Sequence, residues 1–370
     1  MLMQKLALLL PALTLHPNSG CPLLKLRMKA RAEAVKAPKA VLTFEPHPRS
    51  YFDKEAAPKK LTSLAEKLRL FREEGVDIVY ILRFNQALAE LPAEHFIHQV
   101  LAQQLAIRDV TTGDAFVFGK GRLGTAKLIK AGAEYSGKYT ANTVPARMQA
   151  GSPVSSSRIR ALLAVGKVEE VAALLGRDYT LRGPVIAGDK RARGLGYPTA
   201  NIALAPFRAV PAYGVYAVDV QRPGSEVWER GIANLGVRPT FGGGRALLEV
   251  HLLGQSLNLY GQRLTVRFLH RLREEKKFEN MAQLAAQIAR DAAASARPPN
   301  CIQPKARGDG GVMAATLPRR PAVGKPKAAA FHPDYDTNLQ QGPAMKKARQ
   351  SGPFPRYQPM RAKITAGCRR

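Results

Sequence analysis

Glu249 lies in LLEVHLL (residues 247–253), a run otherwise made of leucine, valine and one histidine. Side chains alternate along a strand, so Glu249 and His251 share one face and Leu248, Val250 and Leu252 the other. A carboxylate held there can take the proton of an alcohol aimed at a phosphate. The plainer alternative is an edge-strand acid paired with an arginine. Upstream, GDKRARGLGYPTANI (residues 188–202) supplies a complementary half. Gly183, Gly188, Gly194 and Gly196 would let backbone N–H groups approach an anion closely. Asp189 is the one acid of the run, and Lys190, Arg191 and Arg193 add positive charge. Thr199 offers a hydroxyl and Asn201 a carbonyl oxygen, hard donors that magnesium takes together with substrate phosphates. No Gly-Lys-Ser/Thr follows the glycines, so this is not a Walker A loop. The alternative here is a basic turn facing solvent.

Two stretches in the first half could also bind phosphate. GDAFVFGKGRLG (residues 113–124), with Asp114 and Phe116, places an acid and several glycines after a strand, where open α/β sheets bind ligands. SPVSSSRIR (residues 152–160) sets Ser155, Ser156, Arg158 and Arg160 at a helix start. Simple N-capping explains the serines equally well.

The elements that must position these groups fall into two patterns. Residues 38–46, 76–84, 107–111 and 141–148 read as strands. Residues 62–75 and 92–105, and a segment around 128–132, read as helices between them. This alternation predicts a mostly parallel sheet with helices on both faces. Helices at 155–166 and 168–175 follow. From Tyr179 to about Leu272 the chain becomes short strands punctuated by glycine and proline, the pattern of a small antiparallel barrel. A charged helix is expected over 276–293. Beyond 298 there is no periodicity, and disorder is expected.

A chain of 370 residues suits two domains. Its net charge of +29, of which +11 falls in residues 301–370, favours anionic partners. Cys21, Cys301 and Cys368 show no metal spacing and fit a reducing cytoplasm. The apolar run Met1–Leu15 is too short to span a bilayer. It reads as a short export signal or as a buried strand interrupted by Pro11. The downstream content favours a cytoplasmic protein without a membrane partner.

RGLGYPTANI, YGVYAV, GIANLGVRPT, LLEVHLL, NLYGQRLTVRFLHRLREEKKF and QIARD follow one another between about 180 and 295. In that order they resemble the riboflavin kinase domain of bacterial bifunctional riboflavin kinase/FAD synthetases. The resemblance implies a six-stranded barrel that moves the γ-phosphate of ATP to the ribityl 5′-hydroxyl of riboflavin, giving FMN. It implies that Thr199 and Asn201 hold Mg2+ and ATP, with Gly188, Asp189, Arg193 and Gly196 around them. Glu249 is then the base, and Asn234, Arg238, Arg271 and Arg273 help enclose nucleotide and flavin. Ala192 stands where the family usually has glycine, and Gly254 where it often has an acid.

The first half resembles the FMN adenylyltransferase half of the same proteins, a Rossmann-like nucleotidyltransferase fold. TFEPHPRSYF (residues 43–52), GDAFVFGKGRLG and VSSSRIR carry the likeness, with Arg160 at the arginine of a triphosphate-binding signature. Asp114, Phe116, Ser155, Ser156 and Arg158 would share that site. The family's GNFDGVHxGH-type segment, whose histidines neutralise phosphate oxygens during transfer, is not in this sequence. His16 is isolated and precedes Pro17. Asn85, Ala115 and Val117 also depart from the pattern. The sheet would lack its first strand unless Leu6–Leu15 supplies it.

The expected organisation is therefore residues 1–176 as the adenylyltransferase-like domain, 180–296 as the kinase barrel and 297–370 as a basic tail. The expected function is phosphorylation of riboflavin in a bifunctional architecture that would also convert FMN to FAD. One alternative is a kinase whose first domain is inactive. Another is a basic nucleic-acid-binding protein, although aromatics interleaved with basic residues are missing. Riboflavin, FMN and ATP are the expected small-molecule partners, with no specific nucleic acid. The unfamiliar ends leave two readings open, a misassembled gene or a relic first domain.

Overall fold

A parallel sheet organises the first half of the computed structural model. The structure describes residues 6–10, 29–187, 198–238, 245–254, 259–295 and 360–363, with backbone alone for 6–10, 238, 245 and 360–363. The strands of the first half are β1 (Leu6–Leu10), β2 (Lys39–Glu45), β3 (Ile78–Arg83), β4 (Ile107–Gly113) and β5 (Thr140–Val144). They lie in the order β3-β2-β1-β4-β5, all parallel. Ala40, Val41 and Leu42 are consecutive and buried, as both-face coverage of a parallel sheet requires. β1 fills the place of the first strand that the sequence left in question, and it stops just before Pro11.

Helix α1 (Leu64–Glu73) begins where Ser63 Oγ accepts the Glu66 N–H at 3.2 Å. It packs Phe71 and Leu68 against Val41 and Val79. The expected helix over 92–105 is a short α-turn (Ala93–His95) running into a wider π-helical stretch, Phe96–Gln104. Phe96, Ile97, Val100 and Leu101 are buried, and such spacing does not separate the two helix types. The strand expected over 141–148 ends at Val144, because Pro145 has no N–H for the ladder. Helix α2 (Ala126–Ser136) precedes β5.

The second half closes into a six-stranded antiparallel barrel. Its strands are β6 (Tyr179–Ile186), β7 (Thr199–Ala203), β8 (Gly214–Gln221), β9 (Trp228–Arg238), β10 (Arg245–Leu252) and β11 (Arg263–Arg273). Their order around the barrel is β6-β7-β10-β9-β8-β11. Ile202, Leu248, Val218, Leu235, Val266 and Phe268 fill the interior. Two helices from the first half join the same core. α3 (Ser156–Ala164) contributes Ile159 and Leu163, and α4 (Val168–Leu175) contributes Val168, Val171 and Leu174.

Helix α5 (Met281–Ser295) starts later than the expected residue 276, where Asn280 Oδ1 accepts the Gln283 N–H at 2.9 Å. It lies across β8, β9 and β11. In the expected tail, β12 (Met360–Lys363) pairs antiparallel with the edge strand β3. The remainder of 296–370 lies outside the described residues.

Candidate active site

The barrel's outer wall carries a row of polar groups. Asn201 on β7 stands opposite Glu249 on β10, and Asn234 on β9 stands opposite Glu249 from the other side. One step along, Thr199, His251 and Ile232 form the parallel row. Ala200 and Ile202, Leu248, Val250 and Leu252, and Ala233 and Leu235 belong to the core beneath. The alternation read from LLEVHLL therefore holds, with Glu249 and His251 outward.

This wall faces a cleft of about 220 Å³, formed between it, helix α5 and the residues just after β11. Thr199, Asn234, Glu249 and His251 line the barrel side, and Leu284 and Ile288 line the helix side. Arg273, Glu275, Lys276 and Phe278 complete the rim. Asn201 is buried in the same row as Glu249. Nδ1 of His251 lies 2.9 Å from the Pro198 carbonyl oxygen.

Arg273 is tied down rather than free. Its Nε lies 3.1 Å from both carboxylate oxygens of Asp291, and its Nη2 donates to Asp291 Oδ2 at 2.8 Å. Nη1 donates to the Glu274 carbonyl at 3.0 Å. Gln287 Nε2 also donates to Asp291, at 2.9 Å. This fork fastens α5 to the end of β11. Arg271 is not among the cleft-lining residues. The β8–β11 register shifts between Val215 and Tyr216, so Arg273 pairs with Val215 while Arg271 pairs with Tyr216. Val215 lines the cleft, whereas Tyr216 belongs to the barrel core. The bulge thus breaks the alternation that would put both arginines on one side. Arg271 Nη2 donates instead to the Tyr213 carbonyl at 2.6 Å.

Gly188, Asp189, Arg193 and Gly196 lie outside the described residues, as does Ala192, and Arg238 is described by its backbone alone. Gly254 takes φ 71° at the turn after β10, a conformation that suits glycine better than the acid often found there.

In the first half, Ser155 is the N-cap of α3 and accepts the Arg158 N–H at 3.2 Å. Ser156 is buried. Arg158 Nη1 donates to the carbonyls of Gln149 and Ser152, at 2.8 and 3.1 Å, holding the turn before the helix. Phe116 is buried and stacks on Phe118 at 5.4 Å. Asp114 is exposed after β4. Arg160 alone reaches a charged cluster, at the carboxyl end of β2. Its Nε donates to the Lys59 carbonyl at 2.7 Å. Burial is the main cause that pulls its pKa down. There His47 is held down to about 4, first by burial and then by the charges of Arg160, Lys67 and Arg49. Burial likewise lowers Lys67, while Glu45, which pairs with Lys60, opposes that shift.

Sequence reasoning did not single out His47, Glu275, Phe278 or Asp291. Each sits inside a quoted motif (TFEPHPRSYF, REEKKF or QIARD), but the motif alone does not show which residues of other elements it meets.

A family model for riboflavin kinase matches residues 175–297, and one for FAD synthetase matches residues 23–158. The bifunctional riboflavin kinase/FMN adenylyltransferase of Escherichia coli (strain K12) is 40% identical over 255 residues, covering 69% of this chain and 80% of that protein. The Pseudomonas fluorescens protein of the same name is 41% identical over 273 residues, covering 73% and 85%. The Bacillus subtilis (strain 168) protein is 36% identical over 256 residues, covering 68% and 79%. A crystal structure named as a macrolide-efflux protein from Streptococcus pneumoniae superimposes with a TM-score of 0.69 at 28% identity, covering 79% of this chain and 94% of that one. Among the described residues, no helix is long and apolar enough to cross a membrane.

Proposed function

This chain belongs to the family of bifunctional riboflavin kinase/FMN adenylyltransferases, and from that membership we propose that its barrel phosphorylates riboflavin to FMN with ATP as donor. The gathering of Thr199, Asn234 and Glu249 on the wall of one cleft, with Asn201 in register beside Glu249, is the observation that carries this reading. Glu249 accepts the proton of the ribityl 5′-hydroxyl. The freed oxygen attacks the γ-phosphorus, and the bond to the bridging oxygen breaks, so that ADP leaves with the electron pair. The proton stays on Glu249 until solvent removes it. Thr199 and Asn201 are hard oxygen donors on one strand face beside the carboxylate, and that chemistry fits magnesium. Magnesium, when bound, supplies charge neutralisation at the phosphate oxygens. Leu284, Ile288 and Phe278 give the cleft an apolar side suited to a flat flavin ring.

By family, the first half would transfer AMP from ATP to FMN. Incubation with riboflavin and MgATP followed by chromatography tests both statements. FMN should form first and FAD after it. FMN that never proceeds to FAD would overturn the second statement. No FMN, together with tight salt-sensitive binding to single-stranded nucleic acid, would overturn the first.

A further inference from the structure

We propose that His251 is a positioning residue for Thr199, acting through the Pro198 carbonyl. The proposal rests on the kinase reading of the cleft.

Pro198 is the last residue before β7 and leads directly into Thr199, the first residue of the strand. Proline has no N–H, so its carbonyl is the only backbone group by which the joint can be hydrogen-bonded. Nδ1 of His251 lies 2.9 Å from that oxygen. A carbonyl oxygen only accepts, so the ring must donate from Nδ1, which sets the tautomer of the neutral imidazole. His251 is buried and directly opposite Thr199 in the ladder. It is also two residues from Glu249 on the same strand face. One side chain thus ties the joint that aims Thr199 to the strand that carries the base. Without that tie the strand pairing survives, but the residue entering it loses a fixed direction. The consequence falls on the MgATP side of the reaction rather than on riboflavin.

The test compares His251→Asn with His251→Gln and His251→Leu. Asparagine can place an amide N–H near the position of Nδ1, glutamine places one nearer Nε2, and leucine offers none. Loss of the donor should raise KM for MgATP and the free-magnesium requirement on the order of 10-fold, the low end for partners that orient a ligand. KM for riboflavin should change little, and asparagine should restore most of the loss. Glutamine or leucine matching asparagine would overturn the proposal. Long-range proton–nitrogen correlation on the unsubstituted protein gives a readout that does not depend on how the variants fold. The proton should sit on Nδ1, and a proton found only on Nε2 would refute the assignment. Absence of FMN formation by the unsubstituted protein would instead defeat the kinase reading itself.

Discussion

Glu249 and Asn201 face each other in register across two antiparallel strands, with no residue between them in the ladder. A carboxylate and an amide so placed keep a fixed separation, because the backbone ladder sets it. Glu249→Gln preserves shape and removes the carboxylate proposed as the base. FMN formation should fall by about 10²–10⁴-fold, the usual worth of general-base catalysis, with nucleotide binding retained. Initial rates and nucleotide binding, measured on the same sample, separate the two effects. Unchanged turnover would assign the proton to another group.

Thr199→Val keeps the branched shape that suits a strand and removes only the hydroxyl. Half-maximal rate should then require more free magnesium. A magnesium titration at saturating riboflavin checks this. An unshifted curve would exclude the hydroxyl from the metal's environment.

The Arg273–Asp291 fork joins a half-buried guanidinium to a buried carboxylate. Asp291→Ala takes the carboxylate fork from that guanidinium and leaves its bond to the Glu274 carbonyl in place. Breaking such a pair from one side costs about 3 kcal/mol, to be read as a lower urea midpoint. Riboflavin affinity should weaken alongside it, since α5 forms one side of the cleft. Arg273→Lys should show part of the same loss, because an ammonium cannot reproduce the planar fork.

His47 stays neutral in the fold down to about pH 4, whereas in the unfolded chain it protonates near its ordinary value of 6.5. Between those values the unfolded chain binds more protons, so stability falls as pH drops through the window. His47→Asn should flatten the decline of the unfolding midpoint between pH 7 and pH 5. Identical slopes would mean that other groups carry it.

Gly236 sits beneath the rim of the cleft, where a Cβ would lie 2.1 Å from Glu275 Oε1. Gly236→Ala must therefore move the Glu275 carboxylate. That carboxylate ends a flexible side chain, so stability should change little. The rim itself should change, and riboflavin KM should rise while the unfolding midpoint holds. A large stability loss would show that the backbone had moved instead.

Much of the site could be read from the chain. Period-two alternation grouped Glu249 with His251 and set the leucines behind them, because a half-buried strand has two faces of different polarity. Thr199 and Asn201 read as part of a turn in the sequence, and only the ladder shows them on one face of β7. Arg271 and Arg273 do not follow period two, since a bulge on the neighbouring pairing is invisible in their own strand. Asp291 was equally hidden. Its helix turns it toward β11, and only the packed arrangement shows which residue it meets. The first strand was legible as an apolar run, but its place between β2 and β4 required the sheet. His47 escaped notice because its environment is assembled from β2, the segment at Lys59 and Lys60, α1 and α3.

Helix α3 presents Arg160 toward the carboxyl end of β2 while Ile159 and Leu163 are rooted in the barrel's core. The two halves are consequently not interchangeable cassettes. A hybrid joined at residue 176 would graft a foreign barrel beneath this helix, and any mismatch in that oily seam would be transmitted to the arginine. A junction ahead of Val154 would let the helix travel with the barrel to which it is fitted. Chimeras of relatives should therefore tolerate the earlier junction better than the later one.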